Sequence, residues 1–206
     1  MDDGIPAPPF RLIAIVSSAD AARRVVETMA SIDRDRSFGL MIRDPAHDEA
    51  RVRAIVEEIA GELPPSVHLI ANATAVTQAE RTHLPFERAG AVLPMTVMGY
   101  IVGASVHTIG EAASLDGLVE YLVASPVFPT PSKPGHPGIG LEGLRRLCTA
   151  VATPVFALGG IGANTARACL EAGAFGLAAI TAFEDPLQTR ALVDATDAIS
   201  FRGSNP

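Results

Sequence analysis

The chain has 206 residues, 48% of them hydrophobic and 19% charged, with a formal net charge of −7. That length fits one α/β domain, the apolar content supplies a core and argues against intrinsic disorder, and the acidic balance excludes a nucleic-acid groove lined by a basic stripe. It leaves room for anionic small molecules, which a few local donors can hold.

In chain order, short apolar runs alternate with helical stretches. Residues 11–16 read as a first strand and 19–31 as a helix with Ala, Val and Met on one face. Residues 38–43 form the second strand, followed by a charged amphipathic helix over 47–60. Two further short strands, 67–71 and 82–84, flank a brief, weak helix. Strands at 101–105, 118–124, 154–158 and 176–180 then alternate with helices at 109–115, 141–151 and 164–172, and a last helix covers 186–199. Residues 1–9 and 200–206 read as flexible ends. Eight short apolar strands, most followed by a helix, predict a single-domain α/β (β/α)8 TIM barrel. An open doubly wound sheet fits less well, because Val16-Ser-Ser-Ala-Asp20 after the first strand holds no Gly-rich turn.

Cys148 and Cys169 fall in helical stretches without metal spacing or a CxxC arrangement, as expected of reduced thiols. Met1-Asp-Asp-Gly-Ile-Pro6 has no basic region ahead of an apolar stretch. No apolar run reaches the roughly 18 residues that span a bilayer, so the expectation is a cytoplasmic protein with no membrane partner.

The chemistry concentrates in the second half. Phe128-Pro-Thr-Pro-Ser-Lys-Pro-Gly135 sets the hydroxyls of Thr130 and Ser132 and the ammonium of Lys133 between three prolines. Each proline restricts its own backbone and that of the residue before it, so these donors are presented in few conformations. Gly159 and Gly160 directly follow the seventh strand, and Thr181 closes the eighth. Barrels of this kind often bind phosphate on backbone N–H groups at those two strand ends. Taken singly, Gly-Gly is also an ordinary tight turn and Lys133 an ordinary solvated lysine. Their joint occurrence points to a phosphorylated small molecule.

Four ordered segments carry a family resemblance: Ser125-Pro-Val-Phe-Pro-Thr-Pro-Ser-Lys-Pro-Gly135, Gly140-Leu-Glu-Gly-Leu144, Ala157-Leu-Gly-Gly-Ile161 and Ala172-Gly-Ala-Phe-Gly-Leu-Ala-Ala-Ile-Thr181. With Gly103-Ala-Ser-Val-His-Thr108, they resemble the thiamine phosphate synthase/TenI family over residues 11–183. The resemblance implies a (β/α)8 barrel and a site. Thr130 and Ser132 would grip a thiazole phosphate, completed by Gly159 or Gly160 and the Ile180–Thr181 backbone, and Lys133 would meet the diphosphate of a pyrimidine substrate. Arg43, Asn72 and Ser105 correspond to the family's strand-two arginine, strand-three asparagine and strand-five serine. The implied partners are a phosphorylated thiazole or thiamine phosphate, and further copies of the chain in a homo-oligomer.

The first half departs from the synthase pattern. Its Gln-x-Arg-x-Lys motif reads Met41-Ile-Arg-Asp-Pro45, and its two Mg²⁺-holding aspartates fall at Ala73 and Arg88, with Glu87 beside the latter. Mg²⁺ binds through carboxylates and phosphate oxygens, so no required cofactor and no protein metal ligand are expected. Arg88 in the metal's place, or Glu87 after a register shift, would be the routes to rescue. The family's second activity, TenI-type tautomerisation of a carboxythiazole phosphate, needs a general base. Its histidine aligns with Pro126, and His107 is the nearest substitute, although a lone histidine beside a strand end more often serves a structural hydrogen bond. His136 reads as an exposed loop residue or a lid, and His68 and His83 as packing residues. The expectation is therefore a TenI-like enzyme of thiamine biosynthesis with Lys133, Arg43, Ser105 and His107 as its catalytic candidates. The competing readings are a non-catalytic phosphate binder or regulator, and a sugar-phosphate isomerase, which leaves the Thr130–Lys133 loop unexplained.

Overall fold

Strands β1 (Leu12–Val16) and β2 (Phe38–Ile42) are buried at every residue, the signature of parallel strands covered on both faces. Successive side chains in a strand alternate between faces, and the two faces here bury different sets. One set, including Ile13, Ile15, Met41, Ile70, Tyr121, Val123, Phe156 and Ala178, fills the barrel interior. The other, including Leu12, Ala14, Leu40, Leu69 and Leu177, packs under the helices. The computed structural model describes residues 5–73, 78–91, 95–96, 99–130 and 135–200.

The element order is β1, α1 (Ala19–Ile32), β2, α2 (Glu49–Ile59), β3 (Val67–Ala71), β4 (Arg81–Leu84), β5 (Ile101–Val106), α3 (Ile109–Leu115), β6 (Tyr121–Ala124), α4 (Gly140–Ala150), β7 (Val155–Leu158), α5 (Ala166–Glu171), β8 (Gly176–Ala179) and α6 (Pro186–Ser200). The strands pair in parallel in chain order and close, β1 against β8, into an eight-stranded barrel. Helix starts are set locally. Ser18 accepts from the Ala21 N–H to cap α1, and Asp48 accepts from Ala50 and Arg51 to cap α2. Ala22, Val25 and Met29, at helical spacing, turn inward from α1.

Glycines on one strand make room for aromatic rings from the next. Gly103 pairs with Tyr121 across β5 and β6, and a β-carbon on Gly103 would stand 2.1 Å from Cζ and 2.5 Å from both Cε atoms of the Tyr121 ring. Gly176 stands in the same relation to Phe156 across β8 and β7. The rings of Phe10, Tyr121 and Phe156 meet at centroid distances of 5.4 to 6.4 Å and fill the barrel axis.

The N-terminal end of the barrel is closed by charge. Arg81, buried at the start of β4, donates from Nε and Nη2 to both oxygens of Glu120, at 2.8 and 3.0 Å. Its Nη1 donates to Glu80 at 2.8 Å, and Phe10 stacks 5.4 Å from its guanidinium carbon. Burial alone would lower the Arg81 pKa, and the hydrogen bonds and charge of Glu120 outweigh it and hold the guanidinium above its ordinary value.

Most sequence expectations agree within two residues, and three differ. The strand expected over 118–124 begins only at Tyr121, because residues 116–120 form a turn. Asp116 accepts there from the backbone N–H groups of Ala152 and Thr153, at 3.0 and 2.9 Å, and Gly117 has φ +72°. The weak helix expected after β3 falls largely on residues 74–77, outside the described residues, and its flanks 72–73 and 78–80 are not helical. The eighth strand stops at Ala179, so Thr181 opens a 3-10 turn (Thr181–Glu184) instead of closing the strand. Among the described residues no helix is long and apolar enough to cross a membrane.

Removing one member of a buried ion pair strands the other. Glu120→Leu is expected to cost about 3–5 kcal/mol of stability in urea unfolding, and the double variant Arg81→Met/Glu120→Leu much less. Equal losses in the two variants would show that the pair is not the determinant.

Candidate functional site

Gly159 and Gly160 lie at φ +102° and +66°, a region other residues enter only with strain. A second constraint is steric. A β-carbon on Gly159 would stand 2.7 Å from Cβ of Pro126, and one on Gly160 2.7 Å from Cβ of Phe128 and 3.2 Å from the Pro129 carbonyl oxygen. The segment after β6 is laid along this turn by hydrogen bonds from Val127 N–H to the Leu158 carbonyl (2.8 Å) and from Phe128 N–H to the Gly159 carbonyl (3.1 Å). The glycine pair is thus a tight turn and also the seat that brings the peptide preceding Thr130 against Gly160. Thr165 fixes the turn from behind, its hydroxyl donating to the Gly160 carbonyl at 3.0 Å and accepting from Gly162 N–H at 3.0 Å. Among the described residues the Gly160 N–H has no hydrogen-bond acceptor. Ile180 and Thr181 lie on the adjoining strand end, both exposed. Ser132 and Lys133 lie outside the described residues.

Around the mouth from β2 to β5, the other expected residues adjoin one another. Arg43 follows β2 and is near enough to His83 to disfavour its charged form. Asn72 follows β3, with its side-chain amide 3.5 Å from the His83 carbonyl. His83, 2% exposed, places Nε2 2.8 Å from Ser105 Oγ and stacks on Tyr121 at 5.7 Å. His83 packs as expected, and in addition its Nε2 lies against Ser105 at the mouth. The signal was in the sequence, because His83 shares the inward-facing parity of Arg81 on β4.

His107, in the β5–α3 loop, sets its ring Nδ1 against the Ser125 carbonyl, while its backbone N–H donates to Glu111 Oε2 at 2.7 Å. Thr108 accepts from the Glu111 N–H, so Thr108 and Glu111 cap α3 and hold the loop. Ser125 precedes Pro126, the residue packed on Gly159, so His107 is joined through one strand end to the glycine turn. His136 is exposed, and its Nδ1 accepts from Gly138 N–H at 3.0 Å in a local turn.

The loop after β2, where the resemblance expects a lysine, is held by Asp44, which accepts from the N–H groups of Ala46 and Asp48 at 2.7 and 3.2 Å. Arg88, in the 3-10 turn Phe86–Ala91 after β4, pairs with Glu49 in the first turn of α2. Among the described residues no cluster of three His, Cys, Asp or Glu side chains is placed to hold a metal ion. Cys148 and Cys169 are free thiols, pushed up by burial to about 11 and about 12.

Burial, reinforced by Arg43, lowers His83 from 6.5 to about 3. Between those values the unfolded chain binds a proton that the folded chain refuses, so stability is complete above pH 6.5 and falls as the pH drops toward 3. The loss approaches about 1.4 kcal/mol per pH unit. Urea unfolding from pH 7.5 to 4.5 is expected to show a smaller pH slope for His83→Gln than for the wild type. Superimposable slopes would contradict it.

The sequence model of the TMP-TENI family, described as thiamine monophosphate synthase, matches residues 12–183. The thiamine-phosphate synthase of Coprothermobacter proteolyticus is 31% identical over 183 residues, covering 88% of this chain and 82% of that protein. That of Albidiferax ferrireducens is 41% identical over 138 residues, covering 63% of this chain and 57% of its own length. The chain spans about half the length of the first curated relatives it matches. The solved structure of a Pyrococcus furiosus thiamine phosphate pyrophosphorylase superposes with a TM-score of 0.65 at 24% identity, covering 93% of this chain and 97% of that one, a likeness of fold.

Proposed function

Because the chain belongs to the thiamine monophosphate synthase family, we propose that it serves thiamine biosynthesis by binding a phosphorylated thiazole at the barrel mouth, without Mg²⁺. The observation that carries this reading is the glycine turn on which the Thr130 segment is seated. It offers a backbone N–H at Gly160 with the Thr130 hydroxyl following the seated peptide, and Ile180 and Thr181 lie on the next strand end. Ser132 and Lys133 would add a hydroxyl and a cation to the same anion. The heterocycle would then lie toward Arg43, Asn72 and Ser105.

The residues at the family's metal positions do not fit Mg²⁺. Ala73 has no ligand atom, and Arg88 is a cation already paired with Glu49. Displacement of diphosphate from a pyrimidine carbon builds up negative charge that metal and cationic side chains normally stabilise. A proton transfer within a carboxythiazole phosphate makes no such demand, and it is the reaction we assign. It needs one group to take a proton from the ring and return it elsewhere, with no net change in atoms. His107 is the candidate: its Nδ1–H donates to the Ser125 carbonyl, which leaves Nε2 as the ring nitrogen that would take the proton. His83, held neutral to about pH 3, is too weak a base for that role.

A non-catalytic binder remains the second reading, favoured by the structural bond that His107 makes to Ser125. Calorimetry with hydroxyethylthiazole phosphate is expected to give the same Kd in EDTA and in Mg²⁺, weakened about tenfold by Thr130→Ala. No binding, or binding only with Mg²⁺, would refute the proposal. Incubation with the carboxythiazole phosphate tautomer is expected to show conversion that falls at least about a hundredfold in His107→Asn with Kd little changed. Absence of product there and from the two synthase substrates would leave the binder.

A further inference from the structure

Strand geometry continues one residue past β2 and β3, since Arg43 N–H donates to the Val16 carbonyl at 2.9 Å and Asn72 N–H to the Ile42 carbonyl at 3.0 Å. Side chains alternate along a strand, so Arg43 shares the inner face with Gly39 and Met41, and Asn72 shares it with Ile70. Two observations agree with that placement. The Asn72 amide reaches toward the His83 carbonyl, and Arg43 is near enough to His83 to disfavour its charged form. Arg43 is half-buried, and among the described residues its guanidinium makes no hydrogen bond and no ion pair. Carboxylates around the mouth are committed elsewhere. Asp44 is turned to its own loop and Arg51, Glu49 to Arg88, and Glu111 to the His107 N–H. The inner face of the mouth thus carries the Arg43 charge without a protein carboxylate to balance it.

A half-buried cation without a partner is a costly arrangement that a bound anion relieves. The phosphate of the proposed ligand has its own donors at Gly160 and Thr130. Arg43 stands elsewhere on the rim, after β2, two strands on from β8 around the closed barrel. At the usual strand spacing that is roughly 10 Å along the wall. We propose that Arg43 is the subsite for a second anion on the same ligand, the ring carboxylate of a carboxythiazole phosphate, and selects it over a thiazole phosphate lacking that group. The proposal rests on the thiazole phosphate reading and deepens it. A guanidinium presents two parallel N–H donors that match the two oxygens of a carboxylate, and Asn72 stands beside it as a neutral donor. In the ligand the carboxylate leaves the ring roughly opposite the phosphate arm, so one small molecule can meet both subsites. His83 stays neutral, so Arg43 supplies the charge on its own. Its role is recognition, and no bond is made or broken there.

Calorimetry with two ligands that differ only in the carboxylate, the aromatic carboxythiazole phosphate and hydroxyethylthiazole phosphate, tests this. The wild type is expected to bind the carboxylated ligand at least about tenfold more tightly. Equal affinities would overturn the inference. In Arg43→Gln the preference is expected to vanish while affinity for hydroxyethylthiazole phosphate stays within about threefold, and Arg43→Lys is expected to keep part of it. Losses of equal size for both ligands would assign Arg43 to the phosphate and refute the carboxylate subsite. The Nε–Hε resonance of Arg43 in the wild type gives a readout that needs no phosphate. Millimolar thiazole-2-carboxylate is expected to shift that resonance to saturation, and an unmoved signal would count against the subsite. If neither phosphorylated ligand binds, the proposed function falls, and the titration still decides whether Arg43 takes a carboxylate.

Discussion

The rest of the structure depends on how a narrow eight-stranded barrel is filled. Its interior accepts large rings only where the neighbouring strand gives up its side chain, and the pairs Gly103 with Tyr121 and Gly176 with Phe156 meet that condition. Gly39 does the same beside Phe10, Ile13 and Ile70. Once Tyr121 lies across Gly103, the space above it on β4 and β5 belongs to His83 and Ser105, and the floor of the mouth is set. Close packing makes this floor stiff, because a ring enclosed on all sides has no alternative rotamer of similar energy.

Polar groups are sorted toward the two ends by the same constraint. At the N-terminal end Arg81 and Glu120 satisfy each other bidentately, so their burial is tolerated as a neutral, fully bonded unit. At the C-terminal end charge is not paired inside the barrel. His83 stays neutral because burial and Arg43 both penalise its charged form. The Arg81–Glu120 pair uses its bonding capacity internally. The mouth keeps some, at the Gly160 N–H and the Ser105 hydroxyl, and this asymmetry separates a stabilising face from a binding face.

Much of this was legible in the sequence. The ranges of β3 and α3 and the order of all eight strands follow from apolar runs and caps, since both are local properties. The glycine pair at 159–160 was legible as a turn and a phosphate seat, but not the packing of Pro126 and Phe128 upon it, which joins residues some thirty positions apart. The early end of β6 was hidden because Leu118 and Val119 have strand character, and only the long-range bonds from Ala152 and Thr153 to Asp116 bend the chain there. His83 packs as the sequence suggested, but its bond to Ser105 was not legible, because strand parity gives the face a residue occupies and not the neighbour it meets there. Ser132 and Lys133 lie outside the described residues, so their part in the site still rests on the sequence pattern.

The two halves of the mouth have different physical histories written in their contacts. On the β6–β8 side the glycine turn is held by the bonds of Val127, Phe128 and Thr165, so an anion at the Gly160 N–H would meet a donor that need not reorganise. On the β2–β4 side, the loops that would hold a metal are instead closed on themselves. Asp44 bonds its own turn and Arg51, and Arg88 bonds Glu49 across to α2. A carboxylate and a guanidinium that neutralise one another contribute no net charge to a departing diphosphate, and breaking them apart would cost both hydrogen bonds and desolvated charge. With Arg88 and Asp44 engaged within the protein on that side and a glycine turn offering a donor on the other, the reading proposed above is a single phosphorylated ligand rather than a metal-bound diphosphate.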